Sequence, residues 1–281
     1  MTVSQWISQA LQPHGYRKQQ HTHNTISPTP RPSCYCHRCL PRNWSSQLPF
    51  TSPHSAPNSS SITPPTQLKR ISWLPRSTAS SSPNTPRAIT FKADVSDPTQ
   101  VKSLFDEAER VFNSPLHILV NSAGVLDPKY PTIANTSVED FDNIFSVNAR
   151  GAFLCCREAA NRLKRGGGGR IILLSTSLVG GLRPGYGAYT ASKAAVETMA
   201  KILAKELKGS GITANCVAPG PIATEMFFAG KGEEQVKRVI EECPLSRLGE
   251  TKDVAPVVGF LASDAGEWVN GQVIRVNGGY V

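Results

Sequence analysis

From about residue 86 to residue 281 the chain alternates short apolar runs with longer amphipathic stretches, and this alternation restricts its fold more than any other feature. Ala88-Ile-Thr-Phe-Lys92 reads as a short strand running to Asp94-Val95. Val101, Leu104, Phe105, Ala108, Val111 and Phe112 then recur at the spacing of one helix face. His117-Ile-Leu-Val120 reads as a buried strand. A helical stretch follows from about Val138 to Lys164, the glycines of 166–169 turn the chain, and Arg170-Ile-Ile-Leu-Leu174 is the next strand. A helix from Ala188 to about Leu207 and strands over Thr213–Val217 and Gln272–Val276 complete the series. Strands separated by helices pair in parallel through right-handed crossovers, with helices on both faces. The expected class is α/β, a doubly wound parallel sheet.

Charge and glycine separate this body from what precedes it. Residues 1–93 contain no Asp or Glu and ten Lys or Arg, whereas from Asp94 onward 20 basic residues meet 21 acidic ones. The formal charge of +9 therefore belongs to the front, and the near-neutral body gives no reason to expect a nucleic-acid or membrane partner. Only Gly15 precedes Gly124, and 14 of the 22 prolines lie at or before Pro98. Without a sustained period, a front so rich in Ser, Thr, Asn and Pro cannot bury enough apolar surface to offset chain entropy. The expected organisation is a disordered or non-native segment over 1–85 and one α/β domain over 86–281. No apolar run reaches membrane-spanning length, and Met1 is not followed by a secretory core.

Cys34, Cys36, His37 and Cys39, with His21 and His23 nearby, are metal-ligand types. A zinc finger needs a second ligand pair a dozen or more residues on, so no metal site is expected. Cys155, Cys156, Cys216 and Cys243 follow no disulfide pattern and read as buried thiols in a reducing compartment.

Ligands of parallel sheets bind beyond the carboxyl ends of the strands. Asp94-Val95, Asn121-Ser-Ala-Gly124, Ser177 and Pro219-Gly220 all follow strands at that edge. Turn formation explains any one of them; four at one edge point to a site. Tyr189 and Lys193 are four apart on a helix, so their side chains share a face. An ammonium there favours the phenolate and draws the phenol pKa toward working pH, as proton donation to a carbonyl requires. Plainer alternatives stand beside these readings. Ser177 follows Ser175 and Thr176 and fits a polar loop, and Asn148 fits a core amide. Met226, Phe227 and Phe228 fit either core or the start of a mobile lid over a substrate.

Together, Tyr189-Thr-Ala-Ser-Lys193 with Ser177 twelve residues upstream, Asn121-Ser-Ala-Gly124, Phe145-Ser-Val-Asn148 and Pro219-Gly-Pro-Ile-Ala-Thr224 resemble the short-chain dehydrogenase/reductase family, close to its plant NADPH-dependent aldehyde reductase-like group. The resemblance runs from about Pro86 to Val281. It implies a Rossmann-type fold, NADP(H) as cofactor, and reduction of a small carbonyl or aldehyde. It further implies that Ser177 hydrogen-bonds the substrate carbonyl, Tyr189 donates the proton, and Lys193 lowers the Tyr189 pKa and grips the nicotinamide ribose. Asn148 then kinks its helix and holds a proton-relay water. Asn121, Ala123 and Gly124 belong to the turn that stabilises the sheet beside the cofactor, with Ser122 in place of the family's second Asn. Asp94 and Val95 resemble the pair at the adenine ring. Pro219, Gly220, Ile222 and Thr224 resemble the segment holding the nicotinamide carboxamide, and Val269-Asn-Gly-Gln272 through Asn277-Gly-Gly279 the closing strand. A homo-oligomer, dimer or tetramer, and a cytoplasmic location, with the chloroplast as alternative, complete the expectation.

The family opens with a strand, Thr-Gly-x-x-x-Gly-x-Gly, a helix and a second strand; the glycines let backbone N–H groups approach the pyrophosphate. Residues 1–93 hold no such turn. A Ser-rich, acid-poor transit peptide has this composition, but it should precede a whole domain. The genetic code offers a sharper account. Reading each codon from Arg31 to Ser46 one base late, with free choice among synonymous codons, permits G-R-V-A-I-V-T-G-A-S-R-G-I-G-R-A. Trp44 before Ser45 can give only Gly, and Cys34, Cys36 and Cys39 only Val or Ala. The opposite shift over Leu48–Gln67 and Trp73–Thr78 permits the missing helix and second strand. The front thus reads as a double frameshift. That leaves a second functional reading, a catalytically dead product unable to bind the cofactor. Sequencing the transcript across codons 20–90 is expected to reveal an insertion or deletion that restores the glycine turn. A transcript clean in the written frame, with its peptides detected by mass spectrometry, refutes this.

Overall fold

Apolar runs of four to eight residues have backbone groups that must be paired once buried, and a parallel sheet pairs them. A computed structural model describes residues 33–36 and 89–281. Strands β1 (Ser33–Cys36), β2 (Ile118–Asn121), β3 (Gly169–Leu174), β4 (Ile212–Pro219) and β5 (Val273–Val276) stand in chain order across one sheet, each neighbouring pair parallel. Helix α1 (Pro98–Phe112) precedes β2, and α2 (Val138–Phe145) and α3 (Gly151–Arg162) follow it. Short α4 (Leu178–Gly181) and long α5 (Gly187–Glu206) join β3 to β4. Short α6 (Glu225–Phe228), α7 (Glu233–Glu242) and α8 (Thr251–Ala262) lead to β5.

Side chains alternate across each strand, so a strand buried on both sides is apolar over most of its length. Leu119, Ile171, Leu173, Ala214 and Cys216 join one core with residues of α1, α3 and α5. Ile118, Val120, Ile172, Leu174 and Val217 join a second core with Val254, Val258 and Leu261 of α8. The doubly wound reading thus holds.

The helix starts follow their capping residues. Asp97 accepts from the Thr99 and Gln100 amides ahead of Pro98, whose missing N–H costs nothing at a first helical position. Arg162 of α3 reaches Asp106, Glu109 and Glu158 and lies over the Phe105 ring, tying α1 to α3. Ser137 caps α2 by accepting from the Asp140 amide. Between α2 and α3 the chain makes one π-turn over Ser146–Arg150, within the stretch read as helical from about Val138 to Lys164 and at the Asn148 where the resemblance implies a kink.

Two local expectations are corrected. Ile89–Asp94 forms no strand, because none of the five strands borders it to complete a ladder. Conversely, the front contributes a strand to the sheet: Ser33–Cys36 pairs with Ile118–Asn121. The outer edge of β2 presents backbone donors and acceptors, and the proline-free run after Pro32 is able to meet them. The rest of the front, including any counterpart of the glycine turn, lies outside the described residues.

Gly151 opens α3 against Val95: an added Cβ would stand 2.6 Å from Val95 Cγ2. Val95 is fully buried and has nowhere to retreat. Gly151→Val is therefore expected to destabilise the fold by about 1–3 kcal/mol through overpacking, read as a lower denaturant midpoint at unchanged slope.

Candidate active site

Because all five strands run parallel, their carboxyl ends lie along one edge. There β2 ends at Asn121 and leads into Ser122–Gly124, β3 ends at Leu174 and leads into Ser175–Ser177, and β4 ends at Pro219 and leads into Gly220–Thr224. The Ser177 amide donates to the Pro219 carbonyl at 2.8 Å, and the Gly220 amide to Val276 at 3.0 Å, so the ladder continues past the strands and joins the loops. An added Cβ at Gly220 would meet Asn277 at 2.7 Å, a contact only glycine permits.

Asn148 sits in the π-turn, about 1% exposed. Its Oδ1 accepts from the Val125 amide at 2.8 Å. Its Nδ2 donates to the Val125 carbonyl at 2.9 Å and to Ser192 Oγ at 3.0 Å. Ser192 Oγ in turn donates to the Tyr189 carbonyl at 2.7 Å. The side chain thus joins the turn after β2 to the helix carrying Tyr189 and Lys193. An added Cβ at Gly124 would come within 3.3 Å of Lys193 Nζ and 3.5 Å of Asn148 Oδ1. Gly124, Asn148 and Lys193 therefore form one cluster.

Tyr189 and Lys193 occupy the first turns of α5, and burial dominates the titration of both. It pushes the Tyr189 phenol up to about 12, against a weaker downward pull from its hydrogen bond to Thr176. It pushes the Lys193 ammonium down to about 8. Lys193 Nζ donates to the Leu174 carbonyl at 2.8 Å. Lys193 is expected to lower the Tyr189 pKa; here the phenol is raised instead, since desolvation of the phenolate outweighs any nearby charge. Ser177 is 1% exposed and gives its hydroxyl to the Ala218 carbonyl at 2.9 Å. All four expected catalytic residues stand at the carboxyl edge, with the Ser177 and Tyr189 hydroxyls each committed to another partner.

The residues expected to hold a dinucleotide divide between two places. Asn121, Ala123, Gly124, Pro219, Gly220, Ile222 and Thr224 line the loops after β2 and β4. Thr224 caps α6, and Ile222 bridges to Gly249. Asn121 Nδ2 is buried without a hydrogen-bond partner, an unused donor beside the Asn121–Gly124 turn that fits a polar ligand. Asp94 forms a turn of its own, accepting from the Ser96 amide and hydroxyl, and Val95 is buried beneath α3. The nicotinamide end of such a cofactor therefore fits the loops present; its pyrophosphate cradle would fall outside the described residues. Among the described residues no group of His, Cys, Asp or Glu is placed to hold a metal. The side chains of Cys34, Cys36, His37 and Cys39 lie outside them. No helix among the described residues is long and apolar enough to cross a membrane.

Sequence reasoning missed Thr176, the partner of the Tyr189 phenol, and Ser192, the link from Asn148 to α5. Ser192 lies inside the Tyr189–Lys193 motif, which was the available signal. It also missed Tyr130, Tyr186 and Lys231. Leu126, Asp127, Pro131, Tyr186 and Tyr189, from loops far apart in sequence, line one cleft. Met226 and Phe228 are exposed, which favours the lid over the core.

Residues 75–281 match the family model described as enoyl-(acyl carrier protein) reductase. The chain is 73% identical over 196 residues to the NADPH-dependent aldehyde reductase-like protein, chloroplastic, of Arabidopsis thaliana, covering 70% of this chain and 73% of that one. It is 72% identical over 194 residues to NADPH-dependent aldehyde reductase 2, chloroplastic, of the same plant, covering 69% and 71%. Its structure is similar to that of a putative dehydrogenase from Burkholderia cenocepacia with bound NADP, at a TM-score of 0.64 and 34% identity, covering 69% and 72%.

The buried Lys193 makes stability depend on pH. Its folded pKa, about 8, lies below the ordinary 10.5, so between these values the unfolded chain holds the extra proton and stability rises with pH. Tyr189 acts in the opposite sense above pH 10, where its folded-state proton is retained up to about 12. Chemical denaturation at pH 7.5 and pH 10 should show a gain of order 3 kcal/mol from this lysine, absent in Lys193→Met. An equal pH response in both proteins would contradict the assignment.

Proposed function

Because the chain belongs to the short-chain dehydrogenase/reductase family, we propose that it is an NADPH-dependent reductase of small carbonyls or aldehydes, with Ser177, Tyr189, Lys193 and Asn148 as its chemical centre. The observation that carries this reading is the cluster of Lys193, Asn148 and Gly124 at the carboxyl edge, on the helix that brings Tyr189 one turn away. The names of the Arabidopsis relatives and the NADP bound to the Burkholderia dehydrogenase support the cofactor. Their chloroplastic names support a plastid location.

When bound, NADPH supplies the hydride. Lys193 and Tyr189 would hold its nicotinamide ribose, Pro219, Gly220, Ile222 and Thr224 its carboxamide, Asn121, Ala123 and Gly124 the wall beside it, and Asp94 with Val95 its adenine. A phenol with a pKa near 12 stays protonated at neutral pH, the state from which Tyr189 donates. Its proton goes to the carbonyl oxygen as hydride reaches the carbon, so C=O becomes CH–OH. The Lys193 ammonium stabilises the phenolate left behind. Ser177, turned from Ala218 toward the substrate, donates to the same oxygen and polarises it. Asn148 fixes the backbone at Tyr189 and supports the relay that returns a proton. Exposed Phe153 on α3 and Ile202 on α5 support a homo-oligomer.

A second reading is a chain that keeps this chemistry but binds the cofactor poorly. The observation in its favour is the absence of any glycine between Gly15 and Gly124, where the pyrophosphate cradle belongs. Both readings meet in one experiment on the full chain. Calorimetry should give NADPH affinity weaker than micromolar. Slow reduction of a short aldehyde at high NADPH should fall at least 100-fold in Tyr189→Phe, the lower range for removing a general acid. Micromolar affinity removes the second reading, and undiminished turnover by Tyr189→Phe removes the first.

A further inference from the structure

The end of β3 and the turn after it are fastened to α5 at successive residues. Lys193 Nζ donates to the Leu174 carbonyl at 2.8 Å. The next residue, Ser175, gives its hydroxyl to Glu197 Oε1 at 2.7 Å. Thr176 follows and hydrogen-bonds the Tyr189 phenol. Ser177 comes next, its amide on the Pro219 carbonyl at 2.8 Å. Tyr189, Lys193 and Glu197 are spaced four apart, so α5 meets the turn with one face over three successive windings. Of these three side chains, Glu197 alone has no part in the chemistry proposed above.

A carboxylate on this face needs a reason. Val196 and Ala200 beside it are buried in the core, and an apolar side chain would seat the helix as well. Glu197 is half-buried, and a carboxylate that loses hydration requires a donor in its place. The Ser175 hydroxyl, 5% exposed, is that donor, and with a charged acceptor it makes a stronger bond than with a neutral one. The Ser175 amide is held in turn by the Val217 carbonyl at 2.8 Å. Ser175 is thus fixed by its backbone to β4 and by its side chain to α5. Little freedom remains for the Leu174 carbonyl before it or for Ser177 two residues after. Lys193 answers to burial first and then to Cys216 of β4, so the route from Glu197 to the lysine runs through Ser175 rather than through charge.

We propose that Glu197 is a positioning residue: its carboxylate clasps Ser175 and thereby sets the Leu174 carbonyl against Lys193 and the place of Ser177 beside Tyr189. The proposal rests on the reductase reading for what Lys193 and Ser177 do, and on the bonds above for the clasp itself. Without the clasp the turn lifts from α5, water reaches the Lys193 ammonium, and Ser177 shifts relative to Tyr189.

The test compares the full chain with Ser175→Ala, Glu197→Ala, Glu197→Gln and the double variant Ser175→Ala/Glu197→Ala. The first readout needs no cofactor. It is the Lys193 titration midpoint, followed at Cε in ¹³C-lysine-labelled protein and assigned by its loss in Lys193→Met. The midpoint should stand at about 8 in the parent and move toward the ordinary 10.5 in both alanine variants, since water favours the ammonium. Glu197→Gln should hold the parent value, because an amide oxygen still accepts from Ser175. The double variant should move it no further than either single one, the mark of one shared bond. Ser175→Ala deletes only a hydroxyl and decides the matter should Glu197→Ala fail to fold. The second readout is reduction of propanal at high NADPH. There kcat should fall about tenfold in both alanine variants, less than the roughly 100-fold that a 1 Å misplacement can cost, and Glu197→Gln should restore most of it. Absence of turnover in the parent counts against the reductase reading alone, because the titration reads the clasp without it. A Lys193 midpoint that keeps its parent value in folded Ser175→Ala, or that moves as far in Glu197→Gln as in Glu197→Ala, overturns the clasp.

Discussion

A primary amide in the middle of a helix and about 1% exposed is unfavourable unless each of its hydrogen-bonding atoms is matched. Asn148 meets that condition by reaching out of its own helix on two sides: to both backbone groups of Val125, and to Ser192. The π-turn that presents it inserts an extra residue into the helical path, which aims the side chain at that gap. This tie joins two of the elements that carry the site. The turn after β2 sets one end, the backbone of Tyr189 the other, and Lys193 and Gly124 fill the space between.

The same enclosure that fixes these groups also sets their protonation. Lys193, 4% exposed, keeps a carbonyl partner at Leu174, so its charge is held by a dipole where water would have served better. Ser175 beside it is bonded to Glu197, one turn further along α5, which fastens the segment carrying Ser177 to the same helix. The site is stiff for structural reasons that hold whether or not a substrate is near. Its stability cost is local, and in the proposed mechanism its benefit would be that Tyr189 and Lys193 need little reorganisation.

How much of this could be read from the residues depends on the range of the interaction. Tyr189 and Lys193 were legible because one helix sets their spacing, and β2 and β3 because strands buried on both faces carry near-continuous apolar runs, here Ile118–Val120 and Ile171–Leu174. Asn121-Ser-Ala-Gly124 and Pro219-Gly220 were legible because turns at strand ends have local chemistry. The strand expected before Asp94 was wrong because a strand exists only if a neighbour does, and β1 was missed for the converse reason: its partner lies over 80 residues away. The π-turn leaves no periodic mark, since Ser146–Arg150 has ordinary helical composition; only the resemblance, with its helix-kinking Asn at Asn148, pointed there. Tyr130 and Lys231 meet across 101 residues, and neither carries a local mark of the contact.

Helix α1 has an unusual attachment. The residues leading into it join no ladder, so Val101, Leu104, Phe105 and Ala108, with the fan of charges on Arg162, are what seat it on the domain. Its release therefore costs packing and ion pairs but no sheet hydrogen bonds among the described residues. Asp94 and Val95 are rooted at its base, whereas the helix of Tyr189 is tied through Ser192 and Asn148 to the turn after β2. The two ends of the proposed cofactor site thus rest on different supports: the adenine end on side chains packed beneath α3, the other on hydrogen bonds that cross from one element to the next.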